Sequence, residues 1–391
     1  MSEGRGPGAV VAIVGATGAV GIELIRCLEE RAFPLAELRL FASARSAGKT
    51  LRFRGRELPV RELTEDSFEG VQLALFSAGS GTSKRFAPLA VRAGATVIDN
   101  SSAFRLDPQV PLVVPEINPE TLRGHRGIIA NPNCCAIISI TPLWPIHRVN
   151  RIRRLQLATY QAASGAGAAA MEELRESTRA YLEGRTYEPR VLPHPYAFNL
   201  FSHNTRIDPA TGYNDEETKV IQETRKIFGD GEIRVSATCV RVPVLRAHSM
   251  AITFECSQPI TPARVRELLR EAPGVKLVDD AERNYFPMPK DASGQDAILV
   301  GRIRNDISDP DGRSISPPRR NIERARPDQR ERAAEAQRPR GQQRPRQPAP
   351  ELRVRPGDQH GAGGERNTCE SLEPSDSRRR VRFVPYAETI Q

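Results

Sequence analysis

The chain has 391 residues, enough for two domains with a core each. Its six cysteines include no CxxC pair and no regular framework, which argues for a reducing compartment and against a disulfide scaffold or a metal site. The net charge of +9 does not mark a nucleic-acid binder, because residues 313–391 hold 18 Arg, no Lys and 11 Asp plus Glu, seven of the nine net charges.

The first residues contain no apolar signal region and no run reaches membrane-spanning length, so a cytoplasmic protein without a membrane partner is expected. Ala9 to Val14 is continuously apolar, as a strand buried on both faces should be. It leads into Gly15-Ala16-Thr17-Gly18-Ala19-Val20-Gly21, then Ile22, Leu24, Ile25 and Leu28 at helical spacing. Strand, glycine turn and helix open a dinucleotide-binding domain, in which backbone N–H groups at the helix start meet a pyrophosphate. The spacing is G-x-x-G-x-x-G rather than G-x-G-x-x-G, and a tight turn that binds nothing shares it. Glu37 to Ala42 predicts the second strand. An NAD enzyme often places an acidic residue after it; this chain has Ser43-Ala44-Arg45-Ser46-Ala47-Gly48-Lys49. A guanidinium and hydroxyls suit a 2′-phosphate, so NADP is expected, with a solvated basic loop as the plain alternative.

Val71 to Phe76 and Ala95 to Asp99 predict further strands, the first followed by a helix through Lys84 to Arg92. Asn100-Ser101-Ser102-Ala103-Phe104-Arg105 puts Arg105 just beyond a strand end, where doubly wound sheets bind ligands. Leu112 to Asn118 then leads to Gly127-Ile128-Ile129-Ala130-Asn131-Pro132-Asn133-Cys134-Cys135. Here a short strand, a sharp turn and an apolar helix follow one another. Pro132 biases Asn131 away from helical geometry and Asn133 is a good N-cap, so Cys134 falls in the first helical turn beside unpaired N–H groups. A free thiol is only about 3% ionised at neutral pH, and a helix N-terminus raises that fraction. Cys134 is therefore the candidate nucleophile, although two ordinary buried residues would give the same dipeptide.

Beyond this point longer strands predict a second, α+β domain. Leu155 to Gln161 runs into Ala162-Ala163-Ser164-Gly165-Ala166-Gly167, then a helix through Met171, Leu174 and Tyr181. Gly184 to Gly212 is too long for a connector and is assigned to a subunit interface or lid. Asn214 or Asp215 caps the next helix, on which Glu216 and Lys219 share a face; spacing alone fits a solvated ion pair. Ile233 to Val244 is a strand whose apolar end Arg241 interrupts, and His248, seven residues on, is a candidate acid/base. Asp296 to Asp306 is the last convincing strand. After Gly312 Arg, Pro, Gln and Glu dominate without apolar periodicity, which predicts disorder from about Ser314 to Ser377.

Taken together and in this order, from about Val10 to Gly312, these segments resemble the aspartate-β-semialdehyde dehydrogenase family. The resemblance implies an α/β fold: a Rossmann-like doubly wound parallel-sheet domain binding NADP over 1–130, an α+β catalytic and dimerisation domain over 131–312, and a disordered non-family tail over 313–391. It also implies a homodimer that uses NADPH to convert L-aspartyl-β-phosphate to the semialdehyde and inorganic phosphate, in lysine, threonine and methionine synthesis. In that reading Cys134 forms a thioester, His248 is the acid/base and Gln161 orients the nucleophile. Arg241 takes the α-carboxylate, Glu216 the ammonium, and Arg105 and Lys219 the phosphate, with Asn100 in the same substrate set. Gly15, Thr17, Gly18, Ala19, Val20, Arg45, Ser46, Ser164 and Gly165 match nucleotide-contacting positions. The N-acetyl-γ-glutamyl-phosphate reductase family shares this architecture, but its acetylated nitrogen would give Glu216 nothing to face. An inactive homologue with a basic tail is the non-enzyme alternative. The family's closing strand and helix find no match after Gly312, a change that a shifted reading frame in GC-rich coding sequence would produce; sequencing the coding DNA tests it.

Overall fold

A computed structural model describes residues 8–308 and 380–387 of the chain. Its first sheet is built from β1 (Ala9–Val14), β2 (Leu35–Ala42), β3 (Thr50–Phe53), β4 (Arg56–Glu62), β5 (Leu73–Phe76), β6 (Thr96–Asp99) and β7 (Ile128–Ala130). Their order is β3-β4-β2-β1-β5-β6-β7, parallel throughout except for the β3–β4 hairpin at one edge. Val11, Ala12, Ile13 and Val14 are fully buried, as a central strand covered on both faces requires. From β1 the chain builds outward first to one side and then to the other, so the switch point lies beyond the ends of β1 and β5. Gly15 follows β1 at φ 89°, and a Cβ there would stand 2.3 Å from the Ser77 carbonyl oxygen after β5, so only glycine fits. The helices α1 (Ala19–Glu30) and α2 (Ser80–Arg92) follow β1 and β5. The β3–β4 hairpin lies outside the sequence expectations, because β3 is only four residues long and Arg and Glu make up four of the seven residues of β4.

Two short helices, α3 (Cys134–Ile140) and α4 (Trp144–Val149), lead into the second sheet. It comprises β8 (Ile152–Gln161), β9 (Phe201–Ser202), β10 (Arg234–Arg241), β11 (His248–Cys256), β12 (Val275–Leu277), β13 (Ile298–Asn305) and β14 (Arg380–Ala387), in the order β12-β13-β14-β11-β8-β10-β9. Between these strands run α5 (Ala168–Leu182), α6 (Asp215–Phe228), α7 (Pro262–Arg270) and α8 (Pro289–Ala292). Ile138 and Ile140 of α3 share one apolar cluster with Val220 and Ile227 of α6 and with Ile252 and Phe254 of β11. Burial of each of those two isoleucines, both fully enclosed, contributes about 1.5–3 kcal/mol, which fixes the cysteine helix against its neighbours.

The expectation of disorder across 313–391 is corrected at β14. This strand pairs antiparallel with β11 on one side and with β13 on the other, for example Ile252↔Phe383 and Leu299↔Tyr386. The composition of the tail as a whole concealed it: Arg380-Val381-Arg382-Phe383 alternates as a strand does, inside a stretch otherwise dominated by Arg, Pro, Gln and Glu. The stretch from Ser314 to Ser377 lies outside the described residues.

Candidate active site

Asn133 caps α3, its Oδ1 accepting the Ala136 N–H at 3.2 Å, so Cys134 is the first residue of the helix, as the turn chemistry predicts. Cys134 is 2% exposed, and the Cys135 Sγ lies 4.0 Å from its own. The Cys134 thiol is lowered to about 5: the Cys135 thiol that bonds to its thiolate contributes most, and His248 adds to it against the opposing effect of burial. The positive end of α3 acts in the same direction. Burial pushes Cys135 well above the usual thiol range, so of the two sulfurs Cys134 is the one that ionises.

His248 begins β11 and is 4% exposed. Its Nδ1 accepts the Ala162 backbone N–H at 3.0 Å, which assigns the proton of the neutral ring to Nε2. A Cβ on Gly165 would come within 2.7 Å of that Nε2; the glycine is what lets the ring stand there. Ring nitrogen and both sulfurs lie within 4.8 Å of one another. That trio has the look of a metal site, but a protonated Nε2 offers a cation no lone pair.

Gln161 and Arg241 end the adjacent parallel strands β8 and β10 and are register partners. Arg241, 4% exposed, donates from Nη2 to His203 Nε2 at 2.9 Å, from Nε to Asn204 Oδ1 at 3.2 Å and from Nη1 to the Ala162 carbonyl at 3.4 Å. Burial, assisted by Arg241, lowers His203 to about 4, so it accepts that bond as a neutral ring. On α6, the Glu216 Oε1 accepts from the Asn133 Nδ2 at 2.8 Å and Lys219 Nζ stands 3.6 Å from its Oε2. Burial works against the Glu216 charge, but the Asn133 hydrogen bond and the Lys219 and Arg241 charges hold the carboxyl below the usual range. The expected Glu216–Lys219 pair is thus half of a buried site rather than a solvated ion pair. Arg105, 5% exposed, donates from Nε to the Asn131 carbonyl at 2.9 Å and from Nη2 to the Asn100 carbonyl at 2.8 Å. The Asn100 side chain also accepts from the Asn131 amide, so the segment after β6 and the Asn-Pro-Asn turn are laced together.

A cavity of about 450 Å³ runs from Ala19 and Val20 at the start of α1 to Ser164, Gly165, Met171 and His248. Gly18 precedes α1 without any side-chain cap, which leaves first-turn N–H groups available to a pyrophosphate. The glycine cradle, the uncapped helix and a cavity ending at His248 together fit a dinucleotide. Gly15, Thr17 and Gly18 form the turn itself; Arg45 and Ser46 sit just past β2, the arginine exposed and the serine buried, away from the catalytic cluster. The sequence pattern did not single out His203, Asn204 or Glu223. The length of the 184–212 segment was the one hint of the first two, and the seven-residue repeat from Glu216 was that of the third.

The family models "Semialdehyde dehydrogenase, NAD binding domain" and "Semialdehyde dehydrogenase, dimerisation domain" match residues 10–125 and 143–315. The chain is 57% identical over 302 residues to the aspartate-semialdehyde dehydrogenase of Synechocystis sp. (strain ATCC 27184 / PCC 6803 / Kazusa), covering 77% of this chain and 89% of that one. It is 45% identical over 315 residues to that of Bacillus subtilis (strain 168), with 78% and 91% covered. Among solved structures, aspartate semialdehyde dehydrogenase II from Vibrio cholerae superposes with a TM-score of 0.74 at 45% identity over 77% of this chain and 90% of that chain. The same enzyme complexed with ASA gives 0.78 at 35% identity, over 98% and 94%. The chain belongs to the aspartate-semialdehyde dehydrogenase family.

Proposed function

We propose that this chain uses NADPH to convert L-aspartyl-β-phosphate to L-aspartate-β-semialdehyde and inorganic phosphate, through a thioester on Cys134. The observation that carries the reading is a buried cysteine at a helix start with an imidazole nitrogen and a second thiol beside it, in a site that also holds two buried arginines; the lowered Cys134 thiol agrees with it. Such a substrate offers an α-carboxylate to Arg241, an ammonium to Glu216 and a phosphoryl group to Arg105 and Lys219. Held at those points, its acyl carbon is open to the Cys134 thiolate, which forms a C–S bond as the C–O bond to phosphate breaks. Bound NADPH supplies the hydride that reduces the thioester carbonyl. His248 donates a hydrogen bond from Nε2 to the carbonyl oxygen as negative charge builds there, first on attack and again on reduction. Collapse then re-forms the carbonyl and returns the thiolate to Cys134, and the single proton the reaction consumes ends on the departing phosphate. Gln161, beside Arg241 in register, orients the carbonyl.

Arg45 with Ser43 and Ser46 favours NADP over NAD at the end of β2. Tyr181, Leu182, Phe198 and Leu200 are each more than half exposed, an apolar surface suited to a second copy of the chain and consistent with the dimerisation-domain match. No helix among the described residues is long and apolar enough to cross a membrane. A cytoplasmic enzyme acting without nucleic acid fits that reading.

The test is run in reverse on the purified full-length chain. NADPH should appear from the semialdehyde and NADP only when phosphate is added, and no such dependence would sink the assignment. Arg241→Lys should raise the KM for the semialdehyde about tenfold or more with a smaller change in kcat. An ammonium cannot keep the bonds to His203, Asn204 and Ala162 while presenting two parallel N–H groups to a carboxylate. Steady-state kinetics check this, and an unmoved KM removes Arg241 from the substrate site.

A further inference from the structure

Glu223 has no part in the chemistry described so far, yet it is 1% exposed and both of its carboxylate oxygens are engaged at the site. Its Oε2 accepts the Asn133 backbone N–H at 2.6 Å, and its Oε1 accepts from the Arg105 Nη1 at 3.3 Å. It lies seven residues after Glu216, two turns along the same face of α6, so both carboxylates of that face grip Asn133: Glu216 by its side chain and Glu223 by its main chain. Burial raises the Glu223 carboxyl, and Arg105 and the Asn133 N–H draw it back toward the charged form.

We propose that Glu223 is a positioning residue that couples the phosphate clamp to the nucleophile. The geometry closes a ring: Glu223 holds Arg105, Arg105 holds the Asn131 carbonyl, the chain runs through Pro132 to Asn133, and Asn133 returns to Glu223. Asn133 both precedes and caps Cys134. A shift of the guanidinium as a phosphoryl group arrives is therefore transmitted to the start of the cysteine helix through two short links. Nearby, Lys226 donates to the carbonyls of Arg105, Asp107 and Val110 at 2.7–2.8 Å, so α6 fixes the Arg105 segment by its backbone while Glu223 aims its side chain.

The inference rests on the phosphate role of Arg105, and a double-mutant cycle separates the two. Glu223→Gln keeps one oxygen for Asn133 but turns an –NH2 toward the guanidinium, two donors facing each other. The expected result in the reverse assay is a 10- to 100-fold loss in kcat/KM for phosphate, with NADPH affinity and far-UV circular dichroism unchanged. Because Glu223 acts through Arg105, adding Glu223→Gln to Arg105→Lys should cost no more than about threefold beyond Arg105→Lys alone. Losses that multiply, or wild-type phosphate kinetics in Glu223→Gln, overturn the coupling. Arg105→Lys with an unchanged phosphate KM overturns instead the phosphate reading of the site. If Glu223→Gln does not fold, Glu223→Asp takes its place in the same cycle; it keeps the charge but is too short to reach both partners, and the same non-additivity is expected.

Discussion

Replacing Cys134 with serine should lower turnover by at least about four orders of magnitude while leaving NADPH affinity within about twofold of wild type. A serine hydroxyl stays protonated in the setting that brings the cysteine thiol to about 5, and an alkoxide is a poor group to expel when the intermediate collapses. Cys135 cannot stand in, because burial keeps its thiol protonated. Alkylation by iodoacetamide supplies a second readout, since its rate follows the thiolate fraction. The thiolate exists above the Cys134 pKa and is lost as pH falls through it. The wild-type rate should therefore be level above about pH 6 and fall through pH 5, whereas the rate of an ordinary cysteine already falls about tenfold per pH unit below about pH 8. Cys135→Ser keeps an O–H donor beside the thiolate and should retain most of the turnover. Equal losses in the two single variants would remove the assignment of the nucleophile to Cys134.

Some of the site residues were legible because they interrupt a local pattern, whereas Glu216, Lys219, Gln161 and Asn100 gained roles only through the family resemblance. Cys134 follows a proline-kinked turn and an N-cap, Arg241 breaks an apolar strand end, and two of the three glycines, Gly15 and Gly21, sit where a Cβ would come within 2.3 Å of a carbonyl oxygen. The residues that hold them were not legible. Glu223 has an ordinary place on an amphipathic, capping-box helix, and its partners lie 90 and 118 residues away. His203 and Asn204 sit in a segment without periodicity, and the pairing of Phe201 with Arg241, together with the His203 N–H donated to the Cys239 carbonyl, brings them beside the guanidinium. The error in the tail had a different origin. Composition averaged over 313–391 hides a short apolar segment, and β14 carries Val381, Phe383, Val384 and Tyr386 where it pairs with β11 and β13.

His248→Ala should reduce kcat by about 100- to 1,000-fold, the usual consequence of deleting one donor to a developing oxyanion, with little change in KM for the semialdehyde. The manner of the loss distinguishes two roles for the ring. The Ala162 N–H occupies Nδ1, so the neutral imidazole keeps its proton on Nε2, and a second proton would have to displace that backbone bond. A ring so held suits a fixed donor beside the sulfur, and the acid/base role expected from sequence is the alternative that the test must separate from it. His248→Gln offers a neutral N–H donor that cannot give up a proton, so under the fixed-donor role it should recover much of the kcat lost in His248→Ala, as steady-state kinetics would show. No recovery in His248→Gln would return the ring to proton transfer and require it to release Ala162 during turnover.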